Sequence, residues 1–323
     1  MSSVVVDRDR VRIGERFSIS LQRTLRIPED DRAYPLPPGL GAFPIHRVED
    51  YLDSVPATWR ESGGVFIPMY QREALWLAFD GAYWKPNAIK VGVGKVNAVS
   101  GGSWDLTLHE DPQDYIVCPN QPWLDGINAG DGFIRQFVAM PLGSGYTVEA
   151  QVTGIEKFGG IQILVYEPKE GRFPDARPPK RIPDTETMPA ATEAPAQGMG
   201  FGAGGKMKQK IYPDPHGVDA WDPQNHGCLF VHVLNSEQYR ELTGLEPPPT
   251  PVSPRVYTGY GFPWFDLYDE AAGDVAAPER LTEITTIKEK DAEMGITAPE
   301  DGELVDEPDI RRLRGEESER DTE

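Results

Sequence analysis

Apolar and polar residues alternate in short runs along most of the chain, and a period of two predicts half-buried β-strands. Arg16–Ile27 sets Phe17, Ile19 and Leu21 against Ser18, Ser20 and Gln22. Val65–Tyr70, Glu73–Phe79 and Ala88–Val99 read as strands too, the last with Ile89, Val91 and Val93 on one face and Gly92 and Gly94 on the other. A glycine within a strand marks a bend or a close approach to the backbone. The pattern centres on Gln121–Gly154, where Gly126, Asn128, Gly130, Asp131 and Gly132 make a loop able to reach positive φ. Two runs follow, Phe133–Met140 and Tyr146–Thr153, joined by Pro-Leu-Gly-Ser-Gly. In the second, Tyr146, Val148, Ala150 and Val152 fall on one face, which predicts an antiparallel strand. Ile161–Tyr166 continues the meander, and Gly227–Leu234 reads as a buried strand.

Helical signals are fewer. Arg47–Val55 predicts a short helix, and Asn235 with Gln238 resembles a capping box opening a helix that ends at Gly244. Pro278–Gly295 predicts another, with Leu281, Ile284 and Ile287 on one stripe. Tyr34–Pro44 (YPLPPGLGAFP) is an extended connector over a surface, although a Pro-rich segment also suits an aromatic groove. EPPPTPVSP, residues 246–254, is a second rigid crossing. From Glu167 to Lys210 the chain is rich in Pro, Gly, Ala and charge and reads as a flexible insertion or linker. The expected fold is mainly β, between all-β and α+β: an antiparallel sandwich or partly open barrel with a few short helices. Residues 1–270 form a single β-rich domain from which 167–210 loop out, and 271–323 form a short helix and an acidic, mostly disordered tail.

Composition narrows the function classes. The 323 residues include 33 glycines and 31 prolines, which favours short strands and turns over long helices. A formal charge of −20 opposes attraction to nucleic-acid phosphates or an anionic membrane surface. From Asp291 onward, 13 acids face four arginines. No run approaches roughly 18 consecutive apolar residues, so no membrane span is expected. The N-terminus lacks a signal-peptide core, and Cys118 and Cys228 make no disulfide framework. A cytoplasmic protein with a protein partner, or one that self-associates, fits these features.

Six residues in DPHGVDAWDPQNHGC carry metal-ligand chemistry: Asp214, His216, Asp219, Asp222, His226 and Cys228. On an extended strand His226 and Cys228 share a face at about 6.6 Å, while His226 and His232 stand about 20 Å apart. A solvated turn built on Asp-Pro and His-Gly explains the same residues. Asp125, Asn128 and Asp131 suggest a Ca²⁺ loop, but they lack the distal bidentate Glu of an EF-hand, and Asx turns serve equally. Gly200–Lys206 spells GxxxxGK, yet Met207 stands where a phosphate loop needs Ser or Thr. No GxSxG occurs, and Cys118 beside Pro119 reads as a core residue. Trp84, Trp104, Trp123, Trp221 and Trp264 sit beside turns, with Tyr257, Tyr260 and Tyr268. There they anchor a partner or stack on a sugar, or else plug the ends of a sandwich. Arg135 and Gln136 lie on opposite faces of one strand, so one of them points inward. The candidate binding set is Trp123, Asp125, Asn128, Asp131, Arg135 and Trp264.

The runs FIPMYQREALWLAF, IKVGVGKVNAVSG, QPWLDGINAGDGFIRQFVAMPLGSGYTVEAQVTG and YGFPWFDLYDE resemble a group of bacterial and fungal proteins with no assigned function. The likeness covers about residues 16–270. It brings no catalytic residue and implies only a stand-alone soluble protein. The leading expectation is a non-enzymatic binding or assembly protein that uses aromatic-rich loops and sheet edges. The alternatives are a metal-dependent hydrolase centred on His216–Cys228 and a carbohydrate-binding module. No cofactor is expected, and a divalent metal belongs to the hydrolase reading.

Overall fold

The computed structural model describes residues 3–30, 32, 34–177, 199–249, 264–268, 273–296 and 310–314. The chain opens with β1 (Val4–Asp7), β2 (Arg10–Ile13) and β3 (Phe17–Thr24), and the proline segment leads to β4 (Gly39–Ala42) and β5 (His46–Arg47). Next come β6 (Val65–Met69), β7 (Ala74–Asp80), β8 (Asn87–Val93) and β9 (Val96–Asn97). β10 (Ile116–Cys118), β11 (Trp123–Leu124), β12 (Gly126–Gly130) and β13 (Phe133–Pro141) follow. β14 (Ile161–Pro168), β15 (Met199–Lys208) and β16 (Trp221–Asn235) complete a 16-stranded sheet. β17 (Trp264–Tyr268) and β18 (Ile310–Arg314) form a separate parallel pair.

The main path runs β1-β2-β3-β7-β13-β15 and continues β16-β14-β8-β10. Almost every pairing is antiparallel, β16 with β6 being parallel. The two halves of the path are joined by one register pair, Met199 with Val233. Leu21, Leu77, Phe137 and Phe201 from the first half share one buried cluster with Val91, Ile163 and Leu229 from the second. The sheet therefore folds back on itself as an open, unclosed double layer, and the alternating apolar residues of each strand fill the space between the layers. No helix among the described residues is long and apolar enough to cross a membrane.

Three segments depart from the expected elements. Tyr146–Thr153 is not a strand: Thr147 caps a helix over Val148–Thr153, its side chain accepting from the Ala150 N–H, and Gly154 closes it at φ 75°. Capping chemistry at both ends overrides an alternation only four residues deep. Residues 199–208, assigned above to a flexible insertion, form the long strand β15 inside the sheet. Its apolar half is Phe201 and Ala203, and its other half is glycine because neighbours lie directly on it. A Cβ at Gly202 would stand 3.0 Å from Ile287 Cγ1, and one at Gly204 2.6 Å from Val138 Cγ2. Residues 178–198 of that insertion lie outside the described residues.

Pro278–Gly295 holds two short helices, Glu279–Thr282 and Ile287–Glu293, the second opened by a Thr286–Glu289 capping box. Leu281, Ile284 and Ile287 are buried, as their stripe requires. Arg47–Val55 resolves into a 3-10 turn, Val48–Tyr51, ahead of a helix over Ala57–Ser62. Ser236–Thr243 is helical up to Gly244, as expected. The acidic tail beyond residue 296 lies outside the described residues apart from the backbone of β18.

Candidate functional site: an indole-lined groove beside Asp125

Strand β7 presents Leu75 and Leu77 to the core, so Trp76 between them faces outward. β11 pairs with β7 in the register Trp123 with Ala78, which puts Trp123 on the same outer face as Trp76. The proline segment crosses this face. Gly39 lies against the Trp76 ring, where a Cβ would stand 3.4 Å from Cζ2, an ordinary van der Waals contact. The result is a groove of about 200 Å³ lined by Leu36, Pro37, Pro38, Gly39, Trp76, Trp123 and Asp125. The chain's own Pro37 and Pro38 form part of its wall. The Trp76 indole N–H is buried without a hydrogen-bond partner.

Asp125 is the polar end of this lining. It is 3% exposed, and it is held by a reciprocal pair of hydrogen bonds. Gln209 Nε2 donates to Asp125 Oδ2 at 2.7 Å, and the Asp125 N–H donates to Gln209 Oε1 at 3.0 Å. Burial pushes the carboxyl up to about 7, against the lowering effect of hydrogen bonds from Gln209 and Trp123. A carboxyl so placed changes charge near neutral pH. The next residue is glycine for a steric reason: a Cβ at Gly126 would stand 1.9 Å from the Arg135 carbonyl oxygen.

Of the other candidate binding residues, none described lines the groove. Asn128 is buried, its amide shared among the carbonyls of Val99, Val275 and Ala276 at 3.2–3.3 Å while Oδ1 accepts from the Gly130 N–H at 3.0 Å. It ties the β12–β13 hairpin to the chain around residue 275. Asp131 is exposed at the hairpin tip with φ 54°. Arg135 is half-buried, and Gln136 is the inward residue of that couple, bonded to the Leu25 carbonyl at 2.8 Å and the Ile27 N–H at 3.0 Å. Trp264 begins β17, and its side chain lies outside the described residues, as do Tyr257 and Tyr260.

The proposed metal ligands do not converge. Asp214 Oδ2 accepts from Tyr115 Oη at 2.7 Å and Trp221 Nε1 at 2.9 Å, and Oδ1 takes the His216 N–H at 2.7 Å. The His216 ring packs edge-on against Phe173 and Trp221. Asp219 stands 3.8 Å from Lys169, and Asp222 caps the Gln224 N–H at 2.9 Å. His226 stands against Tyr166 at 5.2 Å, and burial pushes the half-buried Cys228 thiol up to about 11.

Among the described residues, the group with metal-sharing spacing is instead Asp105, His109 and Asp114. The Lys90 ammonium already occupies it, 2.7 Å from Asp105 Oδ1 and 2.7 Å from Asp114 Oδ2. Burial raises the Asp105 carboxyl, but Lys90, the Thr107 N–H and His109 together outweigh it and hold the group below its ordinary value. This cluster is an ion-paired anchor for the 105–114 loop. Its one mark in the sequence is Lys90, a charged residue inside the strand run Ala88–Val93.

A larger cavity of about 600 Å³ lies between β1 and residues 45–52. Its His46 is occupied by the Tyr239 hydroxyl at 2.7 Å and by stacking on Phe66 at 5.2 Å. Burial depresses the pKa of that imidazole, and the nearby Cys228 thiol is no more reactive. Size alone does not make this cavity a chemical site. Trp76 and Gln209, the two groove partners that sequence reasoning missed, differ in how they could have been found. Trp76 was visible as a tryptophan on the non-core face of L-W-L, whereas Gln209 sat in what read as linker. No protein-family model matches the chain, and no curated protein and no solved structure matches it.

Proposed function

We propose that this chain is a non-enzymatic binding protein whose contact site is the Trp76–Trp123 groove, with the free edge of the sheet as a second contact surface. One observation carries the reading: two indoles share an outer face beside a buried carboxyl that titrates near neutrality. Perturbed titratable groups and apolar walls gather at sites of function. The volume, about 200 Å³, falls short of the roughly 300–1,000 Å³ that encloses a whole drug-sized ligand. It suits one protruding side chain of a partner. Tryptophan pockets of this kind act as hot spots in protein association.

The second surface is β1, which among the described residues pairs with β2 alone and leaves Val4 and Val5 each 41% exposed. An open apolar edge is a template for another strand. A carbohydrate-binding reading also has Trp123 and Asp125 in its favour, since an indole face and a carboxyl suit a sugar ring. Tryptophan emission separates the two. Titration with a peptide panel is expected to shift the emission, and Trp76→Leu and Trp123→Leu are each expected to abolish the shift. A response confined to a glycan panel would favour the sugar, and a flat response to both panels would end the binding reading.

A further inference from the structure

Among the described residues, the groove has one charged group, and that group has no counter-ion. The hydrogen bonds that act on the Asp125 carboxyl come from Gln209 and Trp123, both neutral. No cation among the described residues contributes to its titration. From β7 come Trp76 and Ala78, and from the proline segment Leu36 to Gly39. β13 contributes the Arg135 backbone carbonyl beside Gly126. Lys208 is exposed at the end of β15, the Lys210 stem lies over Gly132, and Lys206 stands over the Phe133 ring at 4.2 Å. Asp80, on the last residue of β7, is exposed and faces Arg10. A carboxylate in so dry a place is poorly solvated, and a cation brought to it recovers much of that cost.

The walls favour a particular cation. Indole faces attract positive charge, tryptophan most strongly of the aromatics. A guanidinium is planar and weakly hydrated, stacks on aromatic faces and pairs with a carboxylate through two N–H groups, whereas an ammonium holds its water more tightly. We infer that the Trp76–Trp123 groove receives an arginine side chain of a partner protein, its guanidinium between the indoles and paired with Asp125. This rests on the binding reading above and names the chemistry of the same groove.

The test compares two acetylated, amidated glycine-flanked peptides, one carrying arginine and the other citrulline, which keeps the shape and loses the charge. Binding to the full chain is followed by tryptophan emission and calorimetry on either side of neutral pH. The arginine peptide is expected to bind more tightly above pH 7. Below it, its affinity is expected to fall towards roughly tenfold per pH unit, because ionised Asp125 is the receiving form. The citrulline peptide is expected to bind weakly with no such slope. Asp125→Asn, checked for folding by circular dichroism, should erase both the slope and the arginine preference. Equal affinities for the two peptides at high pH would overturn the arginine assignment and leave the binding reading standing. No response to either peptide at millimolar concentration would overturn both.

Discussion

At the scale of single residues, Asp125 affects stability as well as recognition. Its carboxyl titrates near 3.8 in the unfolded chain and at about 7 in the folded one, so between those values the folded state holds the extra proton. Stability from this group is therefore greatest below pH 4 and falls as pH rises to 7. The size is on the order of 4 kcal/mol for a fully buried group shifted by roughly three units. Asp125→Asn removes that slope. The difference in unfolding free energy between variant and wild type is expected to move in the variant's favour from pH 4 to pH 8 in denaturant titrations. An unchanged difference would show that Asp125 is ionised and solvated. Trp123 and Asp125 were legible in the sequence because tryptophan beside a glycine-rich turn is unusual in itself. Gln209 was not, since a glutamine announces nothing until its partner is known, and Lys90 was hidden in the same way.

At the scale of elements, apolar alternation marks the strands, except where another signal competes with it. The Tyr146–Thr153 run satisfied a strand template while its ends carried helix caps. β15 failed to register because glycine replaced the polar half of its alternation. That half is where the helix Ile287–Glu293 rests, with Ile287 over Gly202. The same helix is tied down by Asp291, which takes both Arg72 guanidinium nitrogens at 2.7 and 2.6 Å and the Tyr146 hydroxyl at 2.7 Å. Burial raises the Asp291 carboxyl, but these bonds outweigh it and hold the group below its usual range. Arg72→Met leaves a buried carboxylate without its guanidinium partner, held by the Tyr146 hydroxyl. The expected cost is about 3 kcal/mol, the lower end for such pairs because Arg72 is partly exposed. Amide exchange should accelerate through Ile287–Glu293 first. Uniform acceleration across the sheet would show that the helix is no separate unit.

At the scale of the whole molecule, charge and edge act against each other. A net charge of −20 repels a second copy, while β1 offers Val4 and Val5 beside a cavity of about 600 Å³. Salt screens the repulsion and leaves the apolar edge attractive. Sedimentation at fixed protein concentration is therefore expected to show more dimer as salt rises, and Val5→Lys is expected to return the monomer. Loss of dimer with salt would mean that ion pairs, not the β1 edge, hold the copies together. Neither surface was visible in the sequence as a place, because β1 becomes an edge only through a strand order that no local pattern records.

The joint between the two halves of the sheet has a mechanical meaning. A continuous sheet transmits strain through rows of hydrogen bonds, but here one register pair, Met199 with Val233, spans the seam. What keeps the layers together is the side-chain filling between them, one buried cluster that includes Leu21, Phe137 and Phe201 from one half and Val91, Ile163 and Leu229 from the other. The layers behave like two leaves glued across their faces with almost no spine. A cavity cut in that filling loosens both leaves at once, however far it lies from the seam, whereas breaking the rung itself costs little more than a single bond.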